Sequence, residues 1–179
     1  MSQDFNLDAA VRKIPDYPKK GILFFDITSI LTDPAAFRHC IDRMVEIYSG
    51  RGISAVAGIE SRGFLFAAPF ADRMGIPLIL VRKAGKLPGE TWRQDYTLEY
   101  GKAAVEIHKS DVPAGGNVLL IDDLIATGGT LHAAKTILEK GGAEVNQVFG
   151  VIGLPFLDYQ KRLPGVEVTT LVEYHGEDA

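Results

Sequence analysis

A chain of 179 residues, 46% of them hydrophobic, suits one domain spanning 1–179 with a sizeable buried core. The formal net charge of −4 leaves no broad basic footprint for nucleic acid, so any anion site must be local. The single cysteine, Cys40, excludes an internal disulfide, no Cys/His cluster has zinc-ligand spacing, and neither the charged segment 1–14 nor any later run reads as a signal peptide or membrane span; a soluble, cytoplasmic protein is expected.

Along the chain, Asn6 or Asp8 is placed to cap a short helix through Val11, after which Pro15, Pro18 and Gly21 force an irregular path. Residues 1–33 therefore read as an arm, with Gly21–Asp26 extended and Asp26, Thr28 and Ser29 forming a turn. Asp33-Pro34 starts a helix, with Phe37, Ile41, Met44, Val45 and Tyr48 recurring on one face until Gly50 and Gly52 stop it. That periodicity makes His39 and Cys40 packing residues. Ile53–Ile59 has the composition of a buried strand and ends in Glu60-Ser61-Arg62-Gly63, ahead of the apolar segment Phe64–Met74, in which Pro69 predicts a kink or a late helix start. Pro77–Val81 is a further strand.

Directly after it, Arg82-Lys83-Ala84-Gly85-Lys86 is the densest basic group of an acidic chain, with no acid among the five residues. A phosphate-binding loop and a merely solvated one, the latter favoured by Gly85, Pro88 and Gly89, are its two readings. Gly89–His108 reads as two strands joined near Glu99-Tyr100-Gly101: a mobile cover, or a static hairpin packed on the domain edge. Following a turn at Pro113–Gly116, the run Val118–Thr130 passes from branched apolar residues through Asp122-Asp123 into Thr127-Gly-Gly-Thr130, and a helical pattern follows over Leu131–Lys140. Gly141-Gly142 close that helix. Val145–Ile152 is another strand, Gly153–Leu157 sets apolar side chains at its carboxyl end, Asp158–Leu163 is a short helix and Val166–Val172 a last strand.

Strands alternating with helices predict an α/β fold with a mostly parallel central sheet flanked by helices, and such sheets bind ligands beyond the carboxyl ends of their strands. Ala126, Thr127, Gly128, Gly129 and Thr130 are suited to surround a phosphate with backbone N–H groups, two hydroxyls and the positive end of a helix. Ionised, Asp122 and Asp123 only accept hydrogen bonds, so their ligand must be rich in donors or be a cation. A ribose diol carrying a 5′-phosphate meets both demands. Neither a Walker P-loop nor a dinucleotide Gly-x-Gly-x-x-Gly pattern occurs.

The stretch Val118–Thr130 closely resembles the phosphoribosyl pyrophosphate (PRPP) motif of the type I phosphoribosyltransferases. Segments 21–33, 58–64 (Gly-Ile-Glu-Ser-Arg-Gly-Phe), 81–89 (Val-Arg-Lys-Ala-Gly-Lys-Leu-Pro-Gly) and 96–102 (Tyr-Thr-Leu-Glu-Tyr-Gly-Lys) further resemble, in order, the adenine phosphoribosyltransferases of that family. The resemblance implies the type I fold, with a small flexible β-hairpin flap over 89–108 and a base-binding hood over 1–33. It implies transfer of ribose 5-phosphate from PRPP to adenine, giving AMP and pyrophosphate with Mg²⁺ required, and a homodimer.

In this reading Asp122 and Asp123 hold the ribose hydroxyls, residues 126–130 the 5′-phosphate, and Ser61, Arg62, Arg82, Lys83 and Lys86 the pyrophosphate. Mg²⁺ is held mainly by PRPP and pyrophosphate, with Asp122 and Asp123 as candidate further ligands. Glu99 is the acid/base candidate, with Tyr100 beside it and Arg62 as a third catalytic group. Leu23, Phe24 and Phe25 face an apolar wall of Phe156 or Leu157 across the adenine. Phe25 departs from the family pattern, which is usually basic there; backbone recognition survives that change. Two alternatives stand beside this reading: a phosphoribosyltransferase for hypoxanthine, guanine or xanthine, and a non-catalytic PRPP-sensing regulator. Regulators of that kind carry a DNA-binding extension for which this chain has neither the length nor a basic patch.

Overall fold

The computed structural model describes residues 5–98 and 101–176. In chain order they form α1 (Leu7–Ala10), β1 (Arg12–Ile14), β2 (Phe24–Asp26), α2 (Thr28–Leu31), α3 (Pro34–Tyr48), β3 (Ala55–Ile59), α4 (Gly63–Met74), β4 (Leu78–Lys83), β5 (Thr91–Leu98), β6 (Gly101–His108), β7 (Asn117–Ile125), α5 (Gly129–Lys140), β8 (Glu144–Gly153), α6 (Tyr159–Arg162) and β9 (Glu167–Glu173). The helix starts follow from local chemistry. Asn6 caps α1 by accepting from the Ala9 amide, and Asp33 caps α3 by accepting from Ala35 and Ala36 just ahead of Pro34.

One seven-stranded sheet runs in the order β5-β6-β4-β3-β7-β8-β9; β4, β3, β7, β8 and β9 are mutually parallel, while β6 joins β4 antiparallel. The period-two alternation of β7 divides the core. Leu119 and Ile121 face a cluster with Met44 of α3 and Phe66 and Phe70 of α4, whereas Val118 and Leu120 face Leu131 and Ile137 of α5 and Tyr159 of α6. Both faces of the sheet are thus covered, and each fully buried large side chain contributes on the order of 1.5–3 kcal/mol.

Four features differ from the sequence reading or sharpen it. Strand β7 does not stop at the acids: Asp122 pairs with Gly150 and Leu124 with Ile152, because the apolar Leu124 and Ile125 carry the strand onward. Both carboxylates are therefore sheet residues, and α5 starts at Gly129 rather than Leu131. Helix α4 runs through Pro69, and the carbonyl this leaves without an amide partner is that of Leu65, an exposed residue. Arg12–Ile14, within the stretch expected to be irregular, pairs as a strand with Phe24–Asp26. Finally, the hairpin is rooted in the main sheet through Arg82↔Glu106 and Lys83↔Val105, with Val105 and Ile107 buried; the Ala84 amide still reaches the Ala104 carbonyl, and the distal part projects past that point. Its tip, with Glu99 and Tyr100, lies outside the described residues.

Candidate active site

Strands β3, β4 and β7 lie side by side, so their carboxyl ends bring Glu60-Ser61-Arg62, Arg82-Lys83 and Asp122-Asp123 to one edge. They enclose a cavity of about 350 Å³, to which Ser61, Arg62, Lys83, Asp122, Asp123 and Tyr96 contribute. The Glu60–Ser61 peptide is cis. A second hollow of about 190 Å³ is formed by the Ala126–Thr130 loop and shares Asp122, Leu124, Ala126 and Thr130 with the first.

Glycine makes this junction possible at two points. A Cβ on Gly63 would stand 2.9 Å from the Ile121 carbonyl oxygen and 3.2 Å from the Asp122 Cα, so α4 can begin this close to β7 only without a side chain. Gly128 has φ +75°, and a Cβ there would also stand 3.2 Å from the Cβ of Tyr159. The left-handed turn at Gly128 leads into a helix whose N-terminus has no side-chain cap, so its first amides and the positive end of its dipole face the hollow.

The two acids have unequal surroundings. Asp123 is only 4% exposed and accepts from Arg62 Nε at 2.5 Å, while the Asp123 amide donates to Asp122 Oδ1 at 2.9 Å. Removal from water, and then the adjacent Asp123 charge, push the Asp122 carboxyl well above the ordinary aspartate range. Burial opposes the charge on Arg62, but Asp123 foremost, with Asp122 and Asp26, outweighs it and holds the guanidinium more firmly protonated.

Only part of the basic loop is free to meet an anion. Arg82 Nε donates to Glu60 Oε2 at 3.0 Å and the Lys83 amide to the same oxygen at 2.7 Å. Burial opposes ionisation of Glu60, yet these hydrogen bonds outweigh it and keep the carboxyl below its usual range. Sequence reading found no acid within the five residues of the loop and so missed Glu60. The signal lay in the parallel register, since Ile59 pairs with Val81 and thereby sets Glu60 beside Arg82. Lys83 lines the cavity, whereas Lys86 is exposed and absent from its lining. The loop is shaped from beneath by Glu106, 6% exposed, whose carboxylate accepts from the Lys86 and Leu87 amides at 2.9 Å each. Tyr96 was also missed as a site residue; its hydroxyl accepts from Thr130 Oγ1 at 3.2 Å and ties the hairpin to the start of α5.

The residues expected at the base stand apart from this cavity, and none of the five lines it. Leu23 and Phe25 are buried in the core, and the Phe25 ring is stacked on Tyr174 with centroids 3.7 Å apart and planes 8° from parallel. What Leu23 and Phe25 offer a ligand is therefore their backbone. Phe24 is half-buried and meets the ring of Tyr17 edge-on at 5.1 Å. Phe156 and Leu157, also half-buried, sit in a short 3₁₀ turn beyond β8 and pack on the same core cluster.

A doubly covered α/β sheet whose central strand delivers an Asp-Asp pair and runs through a glycine turn into an uncapped helix start has the architecture of a type I phosphoribosyltransferase. The family description "Phosphoribosyl transferase domain" matches residues 26–154. Over 171 residues the chain is 65% identical to the adenine phosphoribosyltransferase of Treponema pallidum, a match covering 96% of this chain and 90% of that protein. Its fold superposes on adenine phosphoribosyltransferase from Thermoanaerobacter pseudethanolicus with a TM-score of 0.89 at 43% identity, covering 94% of this chain and 98% of the other. The Saccharomyces cerevisiae enzyme, in a structure complexed with an iminoalditol bisphosphate and adenine, superposes with a TM-score of 0.86 at 40% identity over 92% of this chain and 96% of its own. The chain belongs to the adenine phosphoribosyltransferase family.

Proposed function

We propose that this protein is a purine salvage enzyme that transfers ribose 5-phosphate from PRPP to N9 of adenine, forming AMP and pyrophosphate, and that residues 1–179 act as one phosphoribosyltransferase domain. The observation that carries the reading is the continuity of the two hollows. A carboxylate pair for a diol lies between an uncapped helix start suited to a 5′-phosphate and the Arg62–Lys83 side suited to pyrophosphate. The adenine complex of the related yeast enzyme supports adenine as the acceptor.

The amides of Thr127–Thr130 and the Thr127 hydroxyl bind the 5′-phosphate, and the Thr130 hydroxyl turns from Tyr96 to donate to the same anion. Asp123 accepts a hydrogen bond from a ribose hydroxyl, and Asp122 addresses the other. Ser61, Arg62 and Lys83 face the pyrophosphate and stabilise the charge that gathers as the C1–O bond breaks, with Arg82 and Lys86 behind them. Backbone groups of the Leu23–Phe25 segment read the adenine edge, the Phe24 ring covers one face of the base, and Phe156 and Leu157 form the opposite wall. The hairpin excludes water from the cationic ribosyl centre, and Glu99, with Tyr100 beside it, manages the purine proton as N9 attacks.

The donor set fits Mg²⁺, which favours hard oxygen ligands and binds commonly through one or two carboxylates plus substrate phosphates. Asp122 and Asp123 would supply the carboxylates. When bound, the ion neutralises charge on the leaving pyrophosphate. Family membership supports a homodimer, and a lone buried thiol at Cys40 supports a reducing compartment, the cytoplasm. Steady-state rates with PRPP, Mg²⁺ and each of adenine, hypoxanthine, guanine and xanthine test the assignment. Turnover of adenine far above the others is expected, and turnover of another base without AMP formation from adenine would overturn it.

A further inference from the structure

Strand β2, which contains Phe24 and Phe25 of the Leu23–Phe25 segment proposed to read the base, is only three residues long and belongs to a two-stranded sheet of the kind that is marginal alone. Something outside that sheet must fix its position. Alternation along a strand sends Phe25 to one face and Phe24 and Asp26 to the other. On the Phe25 face the closest aromatic partner is Tyr174, stacked at 3.7 Å. Tyr174 is itself fastened at two points: its amide donates to the Gly153 carbonyl at 3.0 Å, continuing the pairing of β9 on β8, and its hydroxyl donates to Asp8 Oδ1 at 2.6 Å. Lys13, the register partner of Phe25, completes the circuit, with its ammonium 3.0 Å from Asp8 and 5.2 Å from the centre of the Tyr174 ring.

We propose that Tyr174 is a positioning residue for adenine: stacked on Phe25, anchored to the main sheet and tied to Asp8, it sets the placement of the Leu23–Phe25 backbone that receives the base. The inference rests on the reading above that this segment carries the base. Tyr174 does not touch the PRPP cavity, so its influence falls on one substrate only.

The test is steady-state kinetics and thermal unfolding of Tyr174→Leu, Phe25→Leu, their double variant, Tyr174→Phe and Phe24→Ala. Loss of the stack in Tyr174→Leu or Phe25→Leu should raise the KM for adenine roughly fivefold or more, with the KM for PRPP and kcat within about twofold of wild type. The double variant should be no worse than its worse parent, because both parents lose the same stack. Tyr174→Phe keeps the stack but loses the Asp8 bond, and should raise the adenine KM by roughly threefold. An unchanged adenine KM in folded Tyr174→Leu, an equal rise for both substrates, or additive effects in the double variant would each overturn the proposal. Should Tyr174→Leu not fold, Tyr174→Phe decides by itself, an unchanged adenine KM counting against it. Phe24→Ala separates the two levels. A raised adenine KM there with no effect at Tyr174 sinks the positioning role alone, whereas no effect of Phe24→Ala sinks the reading of this segment as the base site.

Discussion

The contact between Gly63 and β7 gives a prediction whose size follows from the geometry. In Gly63→Ala the new methyl would meet the Ile121 carbonyl oxygen at 2.9 Å and the Asp122 Cα at 3.2 Å. Both are backbone atoms of a central strand paired on each side, so neither can swing away as a flexible side chain would. The N-terminus of α4 must retreat by several tenths of an ångström, at a cost of about 1–3 kcal/mol, as in other overpacked cores. For a chain of this size that corresponds to a fall in Tm of roughly 2–12 °C. Arg62 immediately precedes Gly63, so the same retreat lengthens its 2.5 Å bond to Asp123 and displaces it within the cavity. Thermal unfolding together with the KM for PRPP reads both consequences. A Tm within 1 °C of wild type would refute the close approach; a lowered Tm with unaltered PRPP affinity would refute the relay through Arg62.

Other consequences concern the acids. Because the Asp122 carboxyl is raised in the folded, ligand-free protein, its stabilising contribution is present below the ordinary aspartate value of about 3.9 and is lost as pH rises toward the raised one. Asp122→Asn should therefore gain stability relative to wild type between pH 4 and pH 7 in urea unfolding, and a pH-independent difference would contradict this. Glu60 has the opposite sign: its lowered carboxyl stabilises above the ordinary glutamate value of about 4.3, and the effect fades as pH falls through the folded value. Glu60→Gln should lose roughly 1–3 kcal/mol at pH 7, the deficit shrinking below pH 4; an equal deficit at both pH values would count against the Arg82 pairing. Glu99→Gln should slow the single-turnover chemical step on the order of 10²–10⁴-fold with little change in PRPP affinity, and equal turnover would remove Glu99 from the mechanism.

Much of the frame was legible because its signals are local. The Val118–Ile125 run, the glycine turn and the Leu131–Lys140 periodicity each lie within a dozen residues, and together they place the carboxylate pair and the hollow at the start of α5. Contacts set by register were hidden. Glu60 and Arg82 meet only because β3 and β4 pair in parallel, and Thr130 meets Tyr96 only because the hairpin folds over α5. The packing of Phe25 was hidden more deeply, since a ring lining a pocket and a ring covering the core look alike in sequence until Tyr174 is brought against it from far along the chain. Arg12–Ile14 escaped notice for a related reason: three residues hold too little pattern, and their pairing partner lies beyond an intervening turn with two prolines.

The central question is whether bound PRPP is consumed chemically with adenine as the acceptor. The direct measurement is a single-turnover reaction of PRPP, Mg²⁺ and excess adenine in which AMP and pyrophosphate are quantified together. One AMP for each pyrophosphate released, with pyrophosphate release dependent on adenine, is the predicted result. Binding of PRPP without pyrophosphate release in the presence of any base would contradict it.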